Sequence, residues 1–93
     1  MEERFTMKKK LYNDLKVYFR GELLRCRAAL NISQEEMAHR LLLSTRAYSA
    51  LEGGKSCCSL LTAVLFLSRC CPDRTSFLEG LFNILESSEY KTV

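Results

Sequence analysis

At 93 residues the chain is long enough for one small domain with a single core, burying about 60 to 65 per cent of the surface its unfolded form exposes. Its net charge of +3 is unevenly spread: residues 1–55 hold eleven Lys or Arg against seven Asp or Glu, and the remainder three against four, so the N-terminal part is the one suited to an anionic partner. One proline, four glycines, no hairpin dipeptide such as Asn-Gly and no apolar run near the roughly 20 residues of a membrane span argue for an all-α protein and against a β-rich or membrane-spanning one.

The first segment, Lys8 to Leu30, places Leu11, Leu15, Tyr18, Phe19, Leu23, Cys26 and Leu30 on a 3.6-residue period that runs straight through Gly21. This pattern is consistent with one long helix, or with two pieces separated at Gly21. Lys8, Lys9 and Lys10 read either as a solvated charge run or as a flexible arm following a nucleic-acid backbone. MEERFTMKKK has no apolar signal-peptide core, and a cytoplasmic location is expected.

The most informative stretch is Ile32 to Lys55, ISQEEMAHRLLLSTRAYSALEGGK. Ser33 followed three residues on by Glu36 is a capping box, so a helix is expected from Gln34. Met37, Ala38 and Leu41 form its buried stripe, leaving Gln34, Glu35, His39 and Arg40 outside. Ser44 caps a second helix with Ala47, Tyr48 and Leu51 inside and Thr45, Arg46, Ser49 and Ala50 on the opposite face. Gly53-Gly54 closes it, because glycine adopts the left-handed conformation without a Cβ penalty. Helices this short are marginal alone and must pack on neighbours.

ISQEEMAHRL, Ser44 and YSALEGGK together resemble the helix-turn-helix of phage repressors, Cro proteins and the related xenobiotic-response-element regulators. The resemblance spans about residues 19–71 and is strongest over 33–55. It implies a five-helix, lambda-repressor-like DNA-binding domain over residues 19–93, with residues 1–18 as an N-terminal helical extension. It further implies that the third core helix, about residues 45–52, enters the major groove of double-stranded DNA. Carried over position by position, Gln34 matches the phosphate-binding first residue of the second helix, and Ser44, Thr45, Arg46, Ser49 and Ala50 match the start and exposed face of the reading helix. Gln34, Ser44 and Lys55, the last at the start of the loop that follows, are expected to fix that helix through phosphates. Arg27 and Glu52 match a pair that often forms a partly buried ion pair between the first and third helices. The chain departs from the family in having Leu42 where the turn usually has glycine. If the left-handed conformation is kept there, the cost is on the order of 1 kcal/mol. Ala50 also departs, since its methyl can at most touch a thymine methyl.

After Lys55, Ser59 is an N-cap and LLTAVLFLSRC is apolar almost all round, so this helix is expected to be buried on most sides. Pro72 stops it, and Asp73 to Ser76 begins another. There Phe77, Leu78, Leu81, Phe82, Ile84 and Leu85 make a face wider than core closure requires. Many members of the family it resembles dimerise through the last helix, and the resemblance makes Phe77, Leu78, Leu81, Phe82 and Leu85 the candidate interface of a homodimer. The five cysteines, Cys26, Cys57, Cys58, Cys70 and Cys71, lack C-x-x-C spacing and read as reduced thiols rather than a zinc site, with a redox or metal sensor as the alternative.

No catalytic constellation is legible. His39 is the single histidine, no phosphate-cradling glycine loop or acidic metal cluster is present, and neither cofactor, metal nor small-molecule substrate is expected. Two functions remain from different classes: a sequence-specific DNA-binding regulator, and a protein-interaction module or antitoxin-type partner built on the same helices.

Overall fold

The computed structural model describes residues 2–87, and within them the chain forms five α-helices and no strand. They are α1 (Glu2–Leu30), α2 (Gln34–Arg40), α3 (Thr45–Glu52), α4 (Leu60–Arg69) and α5 (Arg74–Leu85). Four helix starts are capped by short polar side chains that accept a backbone N–H three residues on. Ser33 accepts from Glu36 at 3.1 Å, Ser44 from Ala47 at 3.0 Å, Ser59 from Thr62 at 3.2 Å and Asp73 from Ser76 at 3.0 Å. The second half of the expected capping box is not used as such, because the Glu36 carboxylate lies 3.4 Å from Arg40.

The helix ends are equally local in origin. Asn31 takes the left-handed conformation (φ 54°) after α1, and Gly54 does the same (φ 74°) after α3. Leu42, in the turn between α2 and α3, is also left-handed at φ 57°, a conformation glycine adopts without a Cβ penalty and a leucine holds here under strain. That side chain is 67 % exposed, which leaves little burial to offset the strain. At the far ends of α2 and α4, Arg69 donates to the Arg40 carbonyl at 3.0 Å and Arg40 to the Arg69 carbonyl at 3.4 Å. Each arginine thus satisfies the other helix's unpaired carbonyl end.

Packing joins α1 to α3 and α5, α2 to α3, and α2 to α4. The core is built from Phe19, Leu23 and Cys26 of α1, Met37 and Ala38 of α2 with Leu41 after it, Tyr48 and Leu51 of α3, Phe66 of α4, Cys70 and Cys71 in the following turn, and Phe77 of α5. Phe19, Phe66 and Phe77 meet at centroid distances of 5.2 to 6.2 Å in edge and tilted arrangements, the geometries the ring quadrupole favours. Tyr18 adds a fourth ring 5.6 Å from Phe77 and donates its hydroxyl to the Phe77 carbonyl at 2.9 Å.

Of the two readings of the first segment, one long helix is found: α1 is unbroken at Gly21 and starts before Lys8, so the lysine run is helical rather than a flexible arm. A glycine exposed on a helix that is anchored on both sides costs helix propensity without forcing a break. Helix α4 is not buried on most sides: Leu60, Leu61 and Val64 are 82 %, 64 % and 52 % exposed, because only the Thr62–Phe66 side faces the body. Phe77, assigned to the outer face of α5, is 3 % exposed and belongs to the core; its position in the first turn of α5 faces Phe19 and Phe66. Leu81 is half-buried beside it, while Leu78, Phe82 and Leu85 are exposed. On α3, Ala47 is exposed and Ala50 half-buried, the reverse of the assignment read from spacing, since the buried stripe is carried by Tyr48, Leu51 and Glu52.

Candidate nucleic-acid interface

Helix α3 is only eight residues long, and its position is set by what its inner side holds. Tyr48, Leu51 and Glu52 are buried, and Glu52 is the point on which three helices converge. Arg27 of α1 donates Nε to Oε2 at 2.6 Å and Nη2 to Oε1 at 3.2 Å, a two-pronged pairing. Gln34, the first residue of α2, donates Nε2 to Oε1 at 2.9 Å, and the Tyr48 hydroxyl donates to Oε2 from within α3. Arg27 also donates to the Ile32 carbonyl at 3.2 Å, tying in the connection between α1 and α2.

These contacts fix the charge state of the cluster. Burial pushes the Glu52 carboxyl toward the neutral form, but the hydrogen bonds from Arg27, Tyr48 and Gln34 outweigh it, so its pKa is held below the ordinary glutamate value. Burial first, and then the adjacent Glu52 carboxylate, raise the pKa of the Tyr48 hydroxyl. The phenol therefore remains a donor at all ordinary pH. No buried side-chain nitrogen or oxygen among the described residues lacks a partner, so the cluster is a satisfied network of the kind that fixes one arrangement.

A second fastening lies at the C-terminal end of α3. Arg20 of α1 donates Nε to the Glu52 carbonyl at 2.5 Å, and a Cβ placed on Gly54 would sit 3.4 Å from the Arg20 side chain. Neither the Arg20 contact nor the Tyr48 hydroxyl bond was read from the sequence. The spacing of Tyr48 and Glu52 at i and i+4 was the available signal for the second; nothing local signals the first.

The outer side of α3 presents Thr45, Arg46 and Ser49 to solvent, and none of the three side chains bonds to another described residue. Ser44 is exposed, but its hydroxyl oxygen caps α3, leaving the hydroxyl proton as a donor. Lys55 is exposed immediately after the Gly53-Gly54 turn. Gln34 is half-buried with its amide nitrogen committed to Glu52, which makes it a brace of the site as well as a neighbour of its edge. Ala50 is half-buried and the least available of the residues assigned to the reading face. The structure thus brings Ser44, Thr45, Arg46 and Ser49 onto one short helix and its cap, with Lys55 following its far end. Leu78, Phe82 and Leu85 lie apart on α5.

Among the described residues, no group of three or more His, Cys, Asp or Glu is placed to hold a metal ion, and no helix is long and apolar enough to cross a membrane. Cys26, Cys70 and Cys71 are buried and Cys57 and Cys58 half-buried, all as free thiols. Burial pushes Cys26 and Cys58 up to about 11 and raises Cys70 as well, so these three are poor thiolates. Compared with family models, curated proteins and solved structures, the chain matches none of them significantly.

Proposed function

We propose that the protein is a sequence-specific, double-stranded DNA-binding regulator of the lambda-repressor-like kind. On this reading α3 docks in the major groove, and the protein acts as a homodimer without enzymatic activity. The observation that carries the reading is the division of α3. Its inner side is clamped by Arg27, Gln34 and Tyr48 onto Glu52, while its outer side offers short polar groups, one arginine and the Ala47 methyl. A major groove admits one helix and is read by donors and acceptors of this type. Thr45, Arg46 and Ser49 read base edges, and Ser44 and Lys55 position the helix on phosphates. Gln34 supports that position through Glu52.

Selection of bound sequences from a random duplex library, followed by salt titration of the best one, tests this directly. An enriched two-fold site with affinity falling steeply as salt rises is expected; no enrichment overturns the reading. Arg46→Ala should weaken the specific site by about 1 to 3 kcal/mol and relax preference at one base pair. Unchanged affinity would remove Arg46 from the reading face.

For the dimer, the support is the exposed apolar row Leu78, Phe82 and Leu85 on α5. Phe82→Glu should convert a dimer to a monomer by sedimentation while leaving the helical circular dichroism unchanged. A second reading, a protein-interaction module or antitoxin-type partner, is favoured by Leu60, Leu61 and Val64 standing exposed on α4. Docking through that surface would show little salt dependence, which separates the two.

A further inference from the structure

The consecutive lysines of α1 do not act as one charge run, because a helix turns successive residues about 100° apart. Lys10 is paired with Asp14 at 3.4 Å. Lys8 falls on the side of the apolar stripe that includes Leu11, Leu15 and Phe19. Lys9 falls elsewhere: residues 9, 13, 16, 20 and 27 follow one another at spacings of four, three, four and seven, which places Lys9, Asn13, Lys16, Arg20 and Arg27 along one face of α1.

The direction of that face is fixed by its two C-terminal members. Arg20 holds the Glu52 carbonyl and lies against Gly54, and Arg27 holds the Glu52 carboxylate. The face therefore looks toward the C-terminal end of α3 and the turn that leads into Lys55. Lys9 and Lys16 continue it outward over about 16 Å of helix beyond Arg20, at 1.5 Å per residue. By the same spacing Glu3, Asp14 and Glu22 fall on other sides of α1, and Glu2, seven residues before Lys9, is the one acidic residue of the helix in the register of this face. Lys9 sits over the Phe5 ring at 5.7 Å and Lys16 over the Tyr12 ring at 5.9 Å, each one turn after its aromatic residue. A ring beneath the ammonium restrains the side chain without neutralising it, and neither lysine has a carboxylate partner among the described residues.

The geometry points to this face as a second phosphate-binding element. Lys9 and Lys16, in line with Arg20 and Lys55, take the phosphodiester backbone of duplex DNA flanking the segment in which α3 lies. This rests on the reading of α3 as a groove-entering helix and adds a rigid basic rail that α3 alone does not supply. The contact is with phosphates, so it adds affinity and salt dependence without adding base preference.

Double-stranded DNA carrying the selected site is the probe, with wild-type protein, Lys9→Gln/Lys16→Gln and the charge-matched control Lys8→Gln/Lys10→Gln. The first variant should lower the slope of log affinity against log salt by about 0.9 for each lost contact in each protomer. Per protomer, that is about a ten-fold smaller gain in affinity between 200 and 50 mM salt than wild type shows. The control should keep the wild-type slope to within a few tenths, and base preferences should be the same for all three proteins. Equal slopes for wild type and Lys9→Gln/Lys16→Gln, or equal losses in both variants, overturn the rail and leave the α3 reading standing. Wild-type protein that binds no duplex overturns both.

Discussion

Glu52 shows how much of this small domain depends on one side chain. Its carboxylate accepts from three residues on three helices, and its own pKa is depressed as a result. A carboxyl whose folded pKa lies below its unfolded value, about 4.3, contributes stability that is fully present above that value and is lost as pH falls through the folded pKa. Unfolding followed by circular dichroism should therefore show the melting temperature dropping as pH is lowered beneath about 4, and Glu52→Gln should flatten that dependence. The same substitution leaves the Arg27 guanidinium without its counter-charge. At pH 7 a loss of about 2 to 3 kcal/mol is expected, less than for a fully buried pair because Arg27 is partly exposed. Leu42 offers a gain instead. Its left-handed backbone costs on the order of 1 to 2 kcal/mol, and Leu42→Gly should recover about 0.5 kcal/mol net of the larger chain entropy of glycine. Leu42→Val, whose β-branch tolerates that conformation worst, should lose stability in the same denaturant titration.

At the level of elements, the two helical glycines have opposite roles. Gly21 is exposed and a Cβ there would meet nothing within 4 Å, so Gly21→Ala should raise stability by about 0.5 to 1 kcal/mol through helix propensity alone. A Cβ on Gly80 would fall 2.1 Å from the Tyr18 hydroxyl oxygen, at the place where α5 crosses α1. Gly80→Ala should lower the melting temperature despite its better propensity. Tyr18→Phe in the same chain should recover part of the loss, because the ring carbons would still crowd the new methyl. The sequence was readable wherever the cause was local. Ser33, Ser44, Ser59 and Asp73 announce helix starts through their own hydrogen bonds, and Gly54 announces a stop through its dihedral preference. It was unreadable where the cause was the relative placement of helices. The apolar residues of LLTAVLFL carry no mark distinguishing Phe66, which meets Phe19 and Phe77, from Leu60, which meets solvent. The candidate site divides likewise: the exposed row Thr45, Arg46 and Ser49 follows from helical spacing. The pairing of Arg27 with Glu52 joins residues on different helices and entered through resemblance.

For the molecule as a whole, α1 sets the shape. Its 29 residues span about 43 Å at 1.5 Å per residue, matching the longest dimension of 42 Å against 26 and 19 Å for the others. From Glu3 to Lys10 every residue but Met7 is exposed, so the N-terminal third of α1 projects beyond the packed body. Charge is divided elsewhere along the chain, the first 55 residues being net basic and the remainder slightly acidic. On the proposed reading, association with duplex DNA should slow several-fold between 50 and 200 mM salt in stopped-flow mixing, because a charge asymmetry steers encounter only while it is unscreened. A salt-independent association rate would count against that orientation.

Helix α3 separates two kinds of mutational change. Its inward residues are locked to one another and to α1 and α2, so a replacement at Tyr48 or Glu52 has to be answered elsewhere in the chain. The side chains of Thr45, Arg46 and Ser49 are exposed and bond to no other described residue, so replacements there leave the packing untouched. Selection can therefore explore new surfaces at those positions one substitution at a time, without passing through an unfolded ancestor. On the proposed reading, a lineage of such chains can diverge in what it binds while its scaffold stays the same.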